Sequence, residues 1–173
     1  MLNAIVCVSE DWGIGKDGDL LFHIPDDLKR FKQMTTGKVV LMGRETFESL
    51  PEKNRPLPDR TNIVLTSNMY FNHEYHHDNL IIKHNIYEVM KELNNYKSCD
   101  IFLIGGQSMY VSFLRLCDIV YVTKVHKSVK YDKTFPNLDI LDDWKLLPGD
   151  NKKHHIDKYD CDYEYLAYQR VYN

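Results

Sequence analysis

No run of consecutive apolar residues in this chain of 173 is long enough to span a bilayer. The opening MLNAIVCVSED has no basic start and too short an apolar stretch for a signal peptide, so the expectation is a cytoplasmic protein without a membrane partner. Cysteine is scarce, and Cys7, Cys99, Cys117 and Cys161 form no CxxC pair. Zinc and redox motifs are therefore unsupported, and the four read as small core residues or bystanders in a reducing compartment. Three histidines gather in HEYHH, where His73, His76 and His77 have a spacing that a helix could turn into a metal site. The segment around them reads as a polar loop with no companion ligands, so no metal is expected. No basic stripe exists either: 22 Lys and Arg stand against 25 Asp and Glu, spread along the chain, which argues against a nucleic-acid surface. Repeats, low-complexity segments, linkers and an interface-like apolar stripe are all missing. That leaves one domain over residues 1–173, working as a monomer.

What is present is an alternation. Short β-branched and apolar runs recur at Leu2 to Val8, Lys38 to Met42, Asn62 to Leu65, Leu80 to Ile82, Ile101 to Ile104 and Ile119 to Val125. Helical patterns lie between them, at Asp26 to Met34, Arg44 to Leu50, Ile86 to Asn95 and Gln107 to Leu116. Near-continuous apolar strands joined by crossover helices predict an α/β fold, with a central, mostly parallel twisted sheet of about eight strands flanked by about four helices. The tail DCDYEYLAYQRVY alternates without a following helix and is expected to close the sheet edge in antiparallel fashion.

Two strand-to-helix turns carry glycine, Gly43 before Arg44 and Gly105-Gly106 before Gln107. Glycine admits a ligand close to the backbone, and the free N–H groups of a helix start attract phosphate oxygens. Neither turn reads as GxGxxG, yet both sit at strand C-terminal ends, where open α/β sheets bind ligands. A third feature is HIPDDLKRFKQMT, in which Pro25 suits the first position of a helix. At 100° per residue, Leu28, Phe31, Met34 and Thr35 share an arc, with Lys29, Arg30, Lys32 and Gln33 opposite. Asp26 points outward, where it complements the helix dipole. Asp27 falls inside the apolar arc. Acids are common in first turns and many only cap or solvate, so the helix alone leaves its role open.

Taken together, IGKDGDLLFHIPDDLKRFKQMTTGKVVLMGRETFESL, RPLPDRTNIVLT, IFLIGGQSMY, YVTKV and DKTFP resemble, in order, the successive blocks of dihydrofolate reductase. The resemblance implies reduction of 7,8-dihydrofolate to tetrahydrofolate by hydride transfer from NADPH. It assigns Asp27 to the pterin pocket, where a carboxylate can accept from the pterin amino group and ring N–H as a bidentate pair. Thr123 becomes the hydroxyl partner of that acid. Ile5 and Val6 would contact the pterin, and Leu28, Phe31, Leu50, Leu57 and Ile104 would wall the aminobenzoyl group. Arg60 would clamp the glutamate carboxylate, with Arg55 and Lys32 nearby. On the cofactor side, Cys7, Ile14, Gly15 and Leu20 would line the nicotinamide end. Gly43, Arg44, Glu45, Thr46, Thr66 and Ser67 would surround the adenosine and its phosphates, Arg44 and Ser67 reading the 2′-phosphate. Ile104, Gly105, Gly106, Gln107, Ser108, Met109 and Tyr110 would cover the pyrophosphate and nicotinamide.

The chain departs from the family pattern in two places. Glu45 stands where many relatives carry a base, and some carry another at Ser108; an acid near phosphates weakens binding unless it turns outward. Phe22 stands where relatives usually have Trp, keeping an aromatic wall but losing an indole N–H that could hold a water near the substrate. Residues from about Ile14 to His23 resemble the family's mobile active-site loop. Two alternatives remain on sequence grounds. One is an NADPH-dependent reductase of a riboflavin precursor; the other is a noncatalytic folate or nucleotide binder.

Overall fold

The computed structural model describes residues 2–71, 75–149 and 152–172. Its main sheet has the strand order β10-β12-β8-β1-β7-β4-β5-β6, with β11 paired separately to β12. The strands are β1 (Leu2–Val8), β4 (Val39–Gly43), β5 (Thr61–Leu65), β6 (Leu80–Lys83), β7 (Ile101–Gly105), β8 (Cys117–Val125), β10 (Trp144–Leu146), β11 (Lys153–Ile156) and β12 (Cys161–Arg170). Those from β6 across to β8 pair in parallel, whereas β12 runs antiparallel to β8, β10 and β11. The four helices among the described residues are α1 (Pro25–Thr35), α2 (Arg44–Ser49), α3 (Ile86–Leu93) and α4 (Gln107–Phe113). The α/β class, the parallel centre and the antiparallel C-terminal edge match the sequence reading.

The central strands are parallel because both faces are covered. Every residue of β1 except Cys7 is buried, and β4 is buried from Val39 to Met42. One face packs into a large cluster that includes Leu41, Leu103, Phe113 and Phe135; the other supports Val40, Met42, Phe47, Val64 and Phe71. A strand buried on both sides has no polar face to alternate, hence its unbroken apolar run.

Several strands escaped the sequence reading. A second sheet joins β2 (Gly13–Lys16), β3 (Asp19–Leu20) and β9 (Lys133–Thr134) in the order β3-β2-β9. Each has two to four residues, too few for a period to register. The segment read as a loop from Ile14 to His23 is thus partly a hairpin clamped by β9. A Cβ at Gly13 would lie 2.4–2.9 Å from the Tyr131 ring, so only glycine lets the two segments approach this closely. The helix expected to run to Leu116 ends at Phe113 and continues as a 3-10 turn over Leu114–Leu116.

Helix α1 needs a correction on two positions. Leu28, assigned to the apolar arc, is 49% exposed. Arg30, assigned to the polar face, is half-buried with its guanidinium carbon 4.4 Å from the Tyr165 ring centre and 5.9 Å from that of Tyr121. Ring faces on β8 and β12 supply the energetic reason, since a weakly hydrated guanidinium stacks on them. Thr35 is fully buried as expected. Of the histidine group, His73 lies outside the described residues, and no set of three His, Cys, Asp or Glu among the described residues is arranged to hold a metal. No described helix is long and apolar enough to cross a membrane.

Candidate active site

The parallel order places the C-terminal ends of β1, β4 and β7 side by side, bringing Cys7, Gly43 and Gly105 to one rim of the sheet. Ligands bind open α/β sheets at this rim. Helix α1 carries Asp27 across it in its first turn. Strand β8 presents Thr123 from the other side, in register with Cys7 on β1 and Tyr165 on β12. Thr123 is 1% exposed, and its Oγ1 donates to Asp27 Oδ1 at 2.5 Å. Burial pushes the Asp27 carboxyl above the usual carboxylate range, while the Thr123 hydroxyl and the Arg30 charge pull it back. A carboxyl placed this way waits for a partner that offers N–H donors.

Beside it, Cys7 is partly buried, and its thiol is pushed well up by burial and by the Asp27 charge, so it stays protonated and is no nucleophile. Ile5 and Val6 are buried under the same rim. Phe31, Leu50 and Ile104 pack partly buried against a cluster containing Leu57, so four of the five expected wall residues meet. Leu28 flanks them in the same helix with its side chain half open. Arg60 is 6% exposed, its Nε donating to Pro58 O at 2.8 Å and its Nη1 to Thr35 Oγ1 at 3.1 Å. Its guanidinium carbon lies 5.9 Å from the Phe31 ring centre, which aligns the fork with the wall. Arg55 is instead tied to Glu48 O at 2.8 Å and placed over Tyr75, and Lys32 is exposed on α1.

Next to this cleft lies a cavity of about 780 Å³ between the two glycine turns. It collects Gly43, Arg44, Glu45 and Thr46 from α2 and its start, Thr66 and Ser67 after β5, and Gly106, Gln107, Ser108 and Met109 from the start of α4. Neither Gly43 nor Gly106 caps its helix with a side chain, leaving first-turn N–H groups for an anion. The turns nearly touch. A Cβ at Gly106 would come 3.2 Å from Thr46 Oγ1, and one at Gly43 would come 3.1 Å from Met109 Cγ. Its size, its paired helix starts and its mixed polar and apolar lining fit an elongated phosphate-bearing molecule such as a dinucleotide.

A dihydrofolate reductase family model matches residues 1–170. Among curated relatives, the dihydrofolate reductase of Bacillus subtilis is 34% identical over 170 residues, 98% of this chain and 95% of that protein. That of Haemophilus influenzae is 36% identical over 149 residues, 86% of each chain. The chain belongs to the dihydrofolate reductase family. Among solved structures, the dihydrofolate reductase from Enterococcus faecalis complexed with NADP(H) and RAB-propyl is 32% identical with a TM-score of 0.80, covering 99% of this chain and 97% of that one.

Against the dihydrofolate reductase pattern, several residues expected at the cofactor lie outside the lining of this cavity. Tyr110 turns into the core: its hydroxyl donates to Ile5 O at 2.8 Å, and its ring packs edge-on to Phe135 at 4.7 Å. It braces β1 from beneath. Gln107 lines the cavity, and its Oε1 accepts from Thr134 N at 2.6 Å, tying α4 to β9. Gly105, Ile104, Cys7, Ile14, Gly15 and Leu20 do not line this cavity; Leu20 is half exposed in the β2–β3 hairpin. Phe22 is buried edge-to-face on Tyr159 at 5.2 Å, in a cluster with Ile24, Val125 and Tyr163 against which Cys7 packs.

Conversely, His84, Asn85, Ile86 and Lys133 line the cavity and were missed. Asn85 caps α3, accepting from Glu88 N at 2.9 Å, a signal present in the NIYE stretch but overlooked because β6 and α3 lie far from the glycine turns in sequence. Of the departures, Glu45 is among the residues that line the cavity. Arg44 is partly neutralised, since its Nη1 pairs with Glu48 at 3.0 Å.

Proposed function

We propose that this chain reduces 7,8-dihydrofolate to 5,6,7,8-tetrahydrofolate, taking up one hydride at carbon 6 and one proton at nitrogen 5 of the pterin. The observation that carries the reading is the half-buried Asp27 carboxyl, bonded to Thr123, at the strand rim beside the two-turn cavity. NADPH, when bound, supplies the hydride. Gly43, Thr46, Thr66, Ser67, Gly106 and Ser108 are the residues that would hold it, with Arg44 at its 2′-phosphate. Asp27 accepts from the pterin amino group and ring N–H, which fixes the ring plane and raises the proton's availability at the reacting edge. Ile5 and Val6 give that plane its apolar floor. Phe31, Leu50, Leu57 and Ile104 exclude water around the aminobenzoyl group, and Arg60 takes the terminal carboxylate. The reading takes residues 1–173 as one catalytic domain, acting as a monomer in the cytosol and feeding one-carbon and thymidylate metabolism.

The direct test is the fall in absorbance when dihydrofolate and NADPH are mixed with the protein, run in parallel with NADH. Turnover with NADPH and much slower turnover with NADH is the expected result; no consumption of either removes the proposal.

Two smaller effects follow from the departures. Glu45→Gln takes a negative charge off the cavity wall and is expected to tighten NADPH binding about two- to fivefold at low salt, with the gain shrinking as salt rises. Titration of protein fluorescence with NADPH at two ionic strengths measures it, and unchanged affinity at both would place the Glu45 carboxylate clear of the phosphates. Phe22→Trp enlarges a packed side chain and restores an indole N–H. It is expected to lower the melting temperature by a few degrees, the scale of ~1 kcal/mol of overpacking, and to change the pH dependence of hydride transfer without abolishing turnover. A well-folded but inactive variant would contradict that placement.

A further inference from the structure

The Arg30 side chain is the least expected feature of α1. It is half-buried on the inward side of the helix, and Nη1 is buried with no hydrogen-bond partner among the described residues. The ring faces of Tyr165 and Tyr121 hold it. The rings make this half-burial tolerable, and the charge they hold in place acts on the groups around it. The group that gains is Asp27, one helical turn earlier on the same face.

We propose that Arg30 is a positioning residue for Asp27: held over the Tyr165 and Tyr121 rings, its charge favours the ionised carboxylate that receives the pterin. The inference rests on the function proposed above. Facing the Asp27–Arg30 pair are Cys7 on β1, Tyr121 and Thr123 on β8, and Tyr163 and Tyr165 on β12, with Asp26 adjacent in the chain. Burial holds the protons on Cys7, Tyr163 and Tyr165, so none of these three carries charge at neutral pH. Arg30 is then the one cation in the set, opposing burial. Burial also lowers the proton affinity of Arg30, but a guanidinium stays charged regardless, which a lysine in the same place would do less securely. The charge balance at this helix turn sets the pH range over which Asp27 can both accept from the pterin and support its protonation.

The test is the titration of the Asp27 side-chain carboxyl by carbon-13 NMR in the ligand-free protein, assigned by its loss in Asp27→Asn. In Arg30→Met, which keeps the aliphatic stem over the rings, the carboxyl is expected to gain roughly tenfold in proton affinity, displacing the midpoint to higher pH. Arg30→Lys is expected to return most of the way, and the decline of turnover with rising pH should move with the midpoint. If Arg30→Met does not fold, Arg30→Gln against Arg30→Lys makes the same comparison. A midpoint indifferent to all of these, or one that Lys fails to restore, overturns the assignment and reduces Arg30 to packing. The titration needs neither substrate nor cofactor. It can therefore fail while the protein turns over dihydrofolate, and inactivity toward dihydrofolate would remove the proposed function without altering the titration.

Discussion

Asp27→Asn is expected to lower turnover with dihydrofolate and NADPH by roughly 10²- to 10⁴-fold at neutral pH, the range over which a positioned acid–base group contributes, while NADPH affinity stays within a factor of about two. The asparagine keeps an oxygen for Thr123 Oγ1, so the geometry of α1 against β8 survives. In the proposed function, what it loses is the charge that would accept two pterin donors together and the proton it would exchange. The same substitution should stabilise the ligand-free fold. Burial raises the Asp27 carboxyl above its ordinary range, so the folded state holds that proton more tightly than the unfolded chain does. The stability tied to it is fully present below the ordinary carboxylate range and is lost as pH rises through the raised value. At neutral pH, therefore, wild type bears a buried charge that Asn does not. Thermal melts should place Asp27→Asn about 2–4 °C above wild type near pH 7, with the gap closing toward pH ~4. Undiminished turnover would show the acid to be misassigned, and a gap independent of pH would show that its burial is not what sets its protonation.

The site was legible where chemistry and periodicity coincide in a short stretch. Asp27 stood out as an acid on an apolar arc, and the glycine turns at Gly43 and Gly105-Gly106 stood out as strand ends. Thr123, Arg60 and the Phe31–Leu57 wall followed only from the family resemblance, because nothing in a β-branched residue on a strand announces a hydrogen bond to a helix 96 positions earlier. His84 and Lys133 were invisible for the same reason: strand pairing brings the end of β6, just before His84, and β9, which carries Lys133, to the cavity, and that pairing is long-range. Arg30 failed differently. A helical wheel sorts residues by polarity, and arginine counts as polar even where two tyrosine faces make burial of its guanidinium acceptable. Tyr110, expected at the cofactor, has its hydroxyl on Ile5 O, a bond to β1 that a helix start beside a glycine turn does not announce.

The proposed function gives Arg60 to the binding part of the site and not to its reacting part, so Arg60→Lys is expected to raise KM for dihydrofolate by roughly 10- to 100-fold with kcat nearly unchanged. Its guanidinium is aimed by three contacts. Pro58 O takes Nε, Thr35 Oγ1 takes Nη1, and the Phe31 ring lies under its plane. Of five N–H donors, two are engaged, which leaves an oriented remainder for a carboxylate. Lysine keeps the charge but cannot present a fork, so the loss isolates geometry from charge. Because the glutamate tail lies far from carbon 6, its contribution is the same in ground and transition states, and kcat should not register the change. A dihydropterin without the aminobenzoylglutamate tail provides the control: wild type and Arg60→Lys should reduce it equally poorly. Arg60→Met would add a structural cost, since the buried Thr35 hydroxyl and Pro58 carbonyl lose their donor, and a fall of several degrees in melting temperature is expected at ~1–3 kcal/mol. If Arg60→Lys left KM for dihydrofolate unchanged, the residue would be a strut between α1 and the start of β5, and the tail would have to be held by Arg55 or Lys32 instead.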